Sequence, residues 1–378
     1  MGISGGILGS LFHLCVDRVT EFRNINPWIL LFLPVGGVII TFFYRLFKKQ
    51  GALNTDRILH SVRNGGDIPF VTVPLIFGGA AISHLLGASV GREGAALQLG
   101  GGLGYSFGKL LRFNRKNLSV IVMAGMSGVF SALFGTPVTA AFFAIEVITA
   151  GSLQYNALIS CTISSLCAFK TASFFGISPV KFNVTLPVGV QLLTLVQVAA
   201  LAALCALVSI LFCKALNLSE RYAEKFFQNP YIRGIVGGII IILLTVIIGS
   251  TDYNGAGMDV ISRAMSGEAR PEAFILKIIF TAISVSAGFK GGEIVPVFFA
   301  GSAFGCFAGG LIGLDPGFGA AVGMICVFCG VVNCPIASFM LAMEVFGGGS
   351  PVLFALAVVI SFVLSGKCSL YKDQFPVR

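Results

Sequence analysis

Long apolar runs separated by short polar or basic turns set the pattern of the chain from end to end. The first half opens with a short apolar helix over 3–16, passes Asn26-Pro27-Trp28-Ile29, and enters an apolar stretch over 30–46. A bilayer span needs roughly 20 apolar residues, so this stretch reads as a full crossing. A polar turn over 51–55 and a basic helix ending at Gly65-Gly66 follow, then apolar residues 68–90 leading to Glu93. After a basic loop near Arg112 come Ala124-Gly125-Met126, Gly135-Thr136-Pro137 and an apolar helix closing on Glu146.

The second half repeats this order. Asn229-Pro230-Tyr231-Ile232 echoes Asn26-Pro27-Trp28-Ile29, and Gly255-Ala256-Gly257-Met258 echoes Gly51-Ala52-Leu53-Asn54. Gly291-Gly292-Glu293 echoes Gly91-Arg92-Glu93, while Val322-Gly323-Met324, Pro335 and Glu344 echo Ala124-Gly125-Met126, Pro137 and Glu146. The matched pairs are all separated by 198 to 204 residues. Such duplication predicts two transmembrane repeats, 1–190 and 191–378, with no soluble domain. Transporters built this way place the ion site where the repeats meet, on helices that break inside the membrane.

Composition sharpens the class. The chain of 378 residues is 56% hydrophobic and 11% charged, with a mean hydropathy of +0.93. Soluble domains carry about 25% charged residues, so an all-α integral membrane protein is expected. The 48 glycines point to close helix packing and to broken helices. A net charge of +9 comes largely from short basic loops, Arg45 to Arg63 and Lys109 to Lys116, which read as membrane flanks and not as a nucleic-acid surface. Ten cysteines lie mostly in apolar runs without metal spacing, and Cys326-Val-Phe-Cys329 reads as small packing residues. No metal, cofactor or signal peptide is expected. Gly104-Tyr105-Ser106-Phe107-Gly108-Lys109-Leu110 has the wrong spacing for a phosphate loop and reads as a helix end.

The candidate chemistry gathers at the breaks. An intramembrane carboxylate costs roughly 2.5–3.5 kcal/mol on insertion scales, so Glu93 in Gly91-Arg92-Glu93-Gly94 marks an ion or proton path. A helix restarting there offers free N–H groups near Gly94 and Ala95 and the positive end of its dipole, which together suit an anion. A carboxylate resting in that place would be a protonatable plug in an anion path. Glu293, beside Ile294 and Val295, holds the corresponding place, with a helix-capping role as the alternative. Glu146 and Glu344 match each other and read as paired structural carboxylates. Asn54 is an amide donor or a turn residue. Tyr371 is a hydroxyl donor or an interface tyrosine. His13, His60 and His84 share no ligand spacing and read as packing or surface residues.

Through these two Gly-Glu breaks and the duplicated Pro/Glu helices, the chain resembles the CLC family of anion channels and proton-coupled antiporters over nearly its whole length. The resemblance implies the CLC fold with two inverted repeats and discontinuous helices, and a homodimer with one pore per subunit. Against the family pattern, the chain is expected to lack the family's extra N-terminal cytoplasmic helix and C-terminal cytosolic domains. Glu93 would match the external gating glutamate, Tyr371 the pore tyrosine and 51–55 the first selectivity loop. Several positions depart from the chloride-type pattern. Asn54 stands where a serine coordinates the anion, Ala95 replaces a proline, and Val147 occupies the place of an internal proton glutamate. The set resembles the bacterial branch that exports fluoride in exchange for protons, although that branch often has Thr at the position of Val295. The expectation is a fluoride/proton antiporter of a bacterial plasma membrane, with a chloride/proton exchanger or chloride channel as the alternative. An ion sensor without turnover and a membrane enzyme are disfavoured, since no output domain and no nucleophile–base pair is evident.

Overall fold

The computed structural model describes residues 1–47, 55–187, 189–371 and 374. Among them the chain forms sixteen α-helices and no strand. The first half holds α1 (Gly2–Ile25), α2 (Leu33–Leu46), α3 (Thr55–Asn64), α4 (Thr72–Leu86), α5 (Glu93–Leu110), α6 (Arg115–Phe134), α7 (Pro137–Glu146) and α8 (Leu158–Phe174). The second holds α9 (Leu192–Phe226), α10 (Pro230–Ile248), α11 (Met258–Met265), α12 (Ala273–Ser286), α13 (Ile294–Leu311), α14 (Pro316–Val332), α15 (Pro335–Phe346) and α16 (Pro351–Ser365). The two sets run in the same order.

Among the described residues, six helical segments are long and apolar enough to cross a membrane: Pro27–Leu46, Arg115–Phe134, Tyr155–Phe174, Leu192–Phe226, Pro230–Ile248 and Ile294–Leu311. Their outer faces show Ile159, Phe174, Leu192, Val246 and Ile247 to the surroundings, an apolar exterior that suits lipid. The chain is a multi-pass membrane protein. The first helix is longer than the sequence expectation of 3–16, because Asp17, Arg18 and Glu21 do not break a helix. It stops at Asn26, whose φ of −123° leaves the helical region, as expected for a residue preceding proline. Pro27 then opens a 3-10 turn, Pro27–Phe32, that leads into α2.

Glycine lets the two halves meet at backbone distance. A Cβ on Gly37 of α2 would lie 2.9 Å from the Gly234 carbonyl of α10, so no larger residue fits this crossing. The two Pro helices are cross-linked in a reciprocal way. Glu344, at the end of α15, accepts from the amides of Val138 (2.9 Å) and Thr139 (2.7 Å) at the start of α7, and from the Thr139 hydroxyl (2.6 Å). Glu146, at the end of α7, accepts from the amides of Ile336 (3.1 Å) and Ala337 (2.8 Å) at the start of α15. Each carboxylate satisfies N–H groups that a helix start leaves without intrahelical partners, and each meets the positive end of the dipole. That geometry gives both glutamates a structural role. Between these helices lies an aromatic core in which Phe298 packs against Phe134 (centroids 5.6 Å) and Phe328 (5.1 Å).

Candidate functional site: two broken helices that meet end to end

α4 stops at Leu86 because Gly87 turns left-handed, with φ of 86°. The chain then turns through Ala88 to Val90, where the Val90 amide donates to the Ala88 carbonyl at 2.9 Å, and restarts as α5 at Glu93. The equivalent break lies between α12 and α13, where Gly288 also has positive φ, 95°. Gly91 and Gly292 exchange two backbone hydrogen bonds, each 2.6 Å, which fasten one break to the other. A Cβ on Gly94 would lie 2.5 Å from the Gly292 Cα, and a Cβ on Gly291 2.6 Å from the Val90 Cβ. Only glycine permits this approach.

Two helix N-termini therefore converge. Gly94 and Ala95 supply the early N–H groups of α5, while Ile294 and Val295 supply those of α13. Pro296, in the first turn of α13, has no N–H to give. Ala95, Ile294 and Val295 are fully buried, and the Val295 Cβ fills the space beside Gly91.

Glu93, the first residue of α5, is fully buried. Its Oε2 accepts from the Arg92 amide at 3.1 Å and its Oε1 from Arg92 Nε at 3.3 Å. The other arm of Arg92 donates to Asp17 Oδ1 of α1 at 2.6 Å, and Asp17 Oδ2 meets His13 Nε2 at 2.9 Å. Asp17, Arg92 and Glu93 line a recess of about 730 Å³ together with His84, Arg23 and the segment before α11. Arg23 Nη1 donates to the His84 carbonyl at 2.9 Å. Lys277 of α12, fully buried, donates to the carbonyls of Gly255 (2.6 Å) and Tyr253 (3.2 Å) and lies over the Phe299 ring at 5.0 Å. A buried ammonium is costly without partners, and here carbonyl oxygens and a ring face provide them.

Glu293 sits at the N-cap of α13 but makes no side-chain cap hydrogen bond. It lines a separate cavity of about 220 Å³ with Thr55, Asp56, Gln98, Glu220, Lys290 and Tyr371 among others. Among the described residues, none lines both cavities. The wall between them includes the first turns of α5, since Glu93 faces one and Gln98, about 7.5 Å further along the axis, faces the other. Tyr371 is 3% exposed, so it is not an interface tyrosine. Its hydroxyl is enclosed with no partner among the described residues. Asn54 lies outside the described residues.

The structure thus brings the two helix starts, with Gly94, Ala95, Ile294 and Val295, together at the Gly91–Gly292 bridge, sets Glu93 and Glu293 on separate cavities, and places Tyr371 on the Glu293 side. Sequence reasoning missed Asp17, Arg23, Lys277 and Gln98. Lys277 had a signal, a single charge inside the apolar run of α12. His13 and Asp17 had another, an i,i+4 pair on one helix face, so His13 is not a lone residue.

The model of the voltage gated chloride channel family matches residues 36–366. A chloride/fluoride channel protein of Pseudomonas syringae pv. tomato is 32% identical, the alignment covering 99% of this chain and 84% of that protein. The H(+)/Cl(-) exchange transporter ClcA of Vibrio cholerae is 25% identical over 91% of this chain and 80% of its own. Among solved structures, a CLC-type fluoride/proton antiporter superposes with a TM-score of 0.95 at 27% identity, covering 99% of this chain and 95% of that one. With its two fastened breaks and its matched helix order, the chain belongs to the voltage gated chloride channel, or CLC, family.

Proposed function

We propose that this protein is a fluoride/proton antiporter of a bacterial plasma membrane, a carrier of ions and not an enzyme, working as a homodimer of subunits with inverted repeats 1–190 and 191–378. The observation that carries this reading is the pair of glutamates at facing helix starts, Glu93 and Glu293, on a backbone that superposes on a fluoride/proton antiporter at TM-score 0.95. Fluoride is small and tightly hydrated, so its site must offer several close donors, since apolar contacts do not repay dehydration. The amides of Gly94, Ala95, Ile294 and Val295, the bare hydroxyl of Tyr371 and, outside the described residues, Asn54 are those donors.

Glu93 occupies the anion's place while ionised and leaves it when protonated, which couples the two ions. Its recess, with Arg23, Arg92 and His84, is the external mouth, and the Tyr371 cavity is the internal one. Export of an anion with import of a proton moves two charges in the same electrical sense. At 100 mV, negative inside, each contributes roughly 2.3 kcal/mol to drive export.

Chloride/proton exchange is the second reading, favoured by the likeness to ClcA. Paired flux measurements on reconstituted protein decide between them. Fluoride efflux well above chloride, with internal pH tracking fluoride, is expected. Equal rates, or chloride ahead, assign the second reading.

A further inference from the structure

The cavity that holds Glu293 contains charges that no anion site requires. Asp56, from the first turn of α3, and Glu220, from the last turns of α9, line it beside Glu293 and Lys290. These are also the charged groups whose fields act on Glu293, while Arg233 of α10 acts on Lys290. Among the described lining residues, three carboxyl groups stand around one ammonium, a set of groups that can hold and pass protons beside the anion's path.

Two polar atoms lining the same space have no partner among the described residues. Gln98, 7% exposed, donates Nε2 to the Thr55 hydroxyl at 2.9 Å and leaves its Oε1 bare. The buried Tyr371 hydroxyl is bare as well. An enclosed acceptor without a partner calls for a donor, and water is the donor a polar cavity of this kind holds. About 220 Å³ has room for several waters at roughly 30 Å³ each. A neighbouring recess, lined by Lys214, Asn217 and Arg221 of α9, shares Asn217 and Tyr371 with the cavity, so the half-buried Glu220 stands where the two adjoin.

We propose that Glu220 is the proton port of this cavity: it exchanges protons with the solution beyond α9 and passes them, through water held by Gln98 and Thr55 and with Asp56 alongside, to Glu293. At each transfer one O–H bond breaks as another forms on the next oxygen, and no electron changes hands. The place left apolar by Val147 is thereby supplied from a different helix. The inference rests on the anion/proton exchange proposed above.

The test follows fluoride with an electrode and internal pH with a trapped dye in liposomes carrying the full chain. Glu220→Gln should slow proton uptake and coupled fluoride efflux together by about tenfold or more, a modest loss for a proton-transfer group, and Glu220→Asp should recover most of it. In a Glu93→Gln background, where fluoride passes without a proton, adding Glu220→Gln should leave fluoride flux unchanged. Proton uptake at the wild-type rate in Glu220→Gln, or an equal loss of the proton-independent flux in the double variant, overturns the assignment. Wild-type protein that moves fluoride with no proton overturns the antiport reading as well, whereas coupled wild type with unaffected Glu220→Gln overturns the port alone.

Discussion

The two breaks share a sequence plan, 200 residues apart, and yet hold their glutamates in opposite conditions. Glu93 is fully enclosed, bonded through both oxygens to Arg92, which is itself braced by Asp17 and His13. Glu293 makes no side-chain cap bond, and its carboxyl faces a cavity shared with Asp56, Glu220, Lys290 and Tyr371. In the exchange proposed above, Glu93 is the carboxylate held in place by Arg92 and Glu293 the one set among other proton-holding groups. Duplication supplied two equivalent helix starts, and the residues around them, not the backbone, divide the work. A plug must rest in a defined place, whereas a proton acceptor needs mobile neighbours that can hand it a proton.

The comparison breaks most completely at the backbone bridge on which both halves depend. A Cβ on Gly292 would collide with the amide nitrogen of Gly94, backbone against backbone, and nothing there can yield. Gly292→Ala is expected to abolish transport and to lower the yield of monodisperse protein in size-exclusion chromatography. Gly78→Ala, on the same α4–α5 side but with nothing within 4 Å of its Cβ, is the control that should behave as wild type.

The next largest effect separates the two carboxylates. Glu93→Gln removes the exchangeable proton from the plug, so proton uptake driven by an anion gradient should fall below detection while fluoride still leaks. Glu293→Gln should slow coupled flux by about a hundredfold or more, the low end for a single proton-transfer group, without freeing the leak, because the plug still closes. A Glu293→Gln protein with wild-type coupling would return Glu293 to a plain helix start, and a Glu93→Gln protein still coupled would remove the plug.

A smaller difference is expected between the reciprocal caps. Glu344 accepts three hydrogen bonds at the start of α7, and Glu146 accepts two at the start of α15. Losing a charged acceptor for buried N–H groups costs about 1–3 kcal/mol. Both Glu→Gln variants should therefore unfold earlier on heating in detergent, Glu344→Gln by more than Glu146→Gln. Unchanged melting in either would show that water replaces the carboxylate.

What the sequence made legible was whatever repeats or breaks a local pattern. The glycine runs, the lone glutamates and the offset of the two halves located both helix starts, whereas the hydrogen bonds that fasten Gly91 to Gly292 came only with the structure. The contacts that distinguish the two starts were not legible, because they join residues far apart in the chain. Asp17 reaches Arg92 across 75 positions, and nothing in the neighbourhood of either announces the pair. Gln98 looks like one more polar residue on a helix until Thr55 is seen beside it. The end of α1 was misjudged for a related reason: a drop in hydrophobicity marks where a helix leaves the apolar core, and only Asn26-Pro27 marks where it ends.

The smallest expected effect concerns Val295, where a hydroxyl is missing from the α13 start. Val295 is fully buried, and its side chain occupies the space against Gly91, so a Thr of nearly equal size fits without moving the bridge. The new hydroxyl would lie in the first helical turn, within reach of a carbonyl three or four residues back, which would keep it from being an unpaired buried donor. With that bond made the cost is small, whereas a hydroxyl left unpaired in this buried place would cost about 1–3 kcal/mol, because Val→Thr conserves volume and not polarity. When an anion arrives the single O–H turns from that carbonyl to the ion, beside the amides of Ile294 and Val295, and adds a short-range donor that a small anion uses more fully than a large one. The fluoride-to-chloride flux ratio of Val295→Thr should therefore rise by a few-fold, since one hydrogen bond to a charged group contributes about 1.5–3 kcal/mol before dehydration is subtracted. A ratio that stays at the wild-type value, with melting unchanged, would place residue 295 outside the anion's coordination shell and leave the amides, Tyr371 and Glu293 as the groups that select the ion on this side.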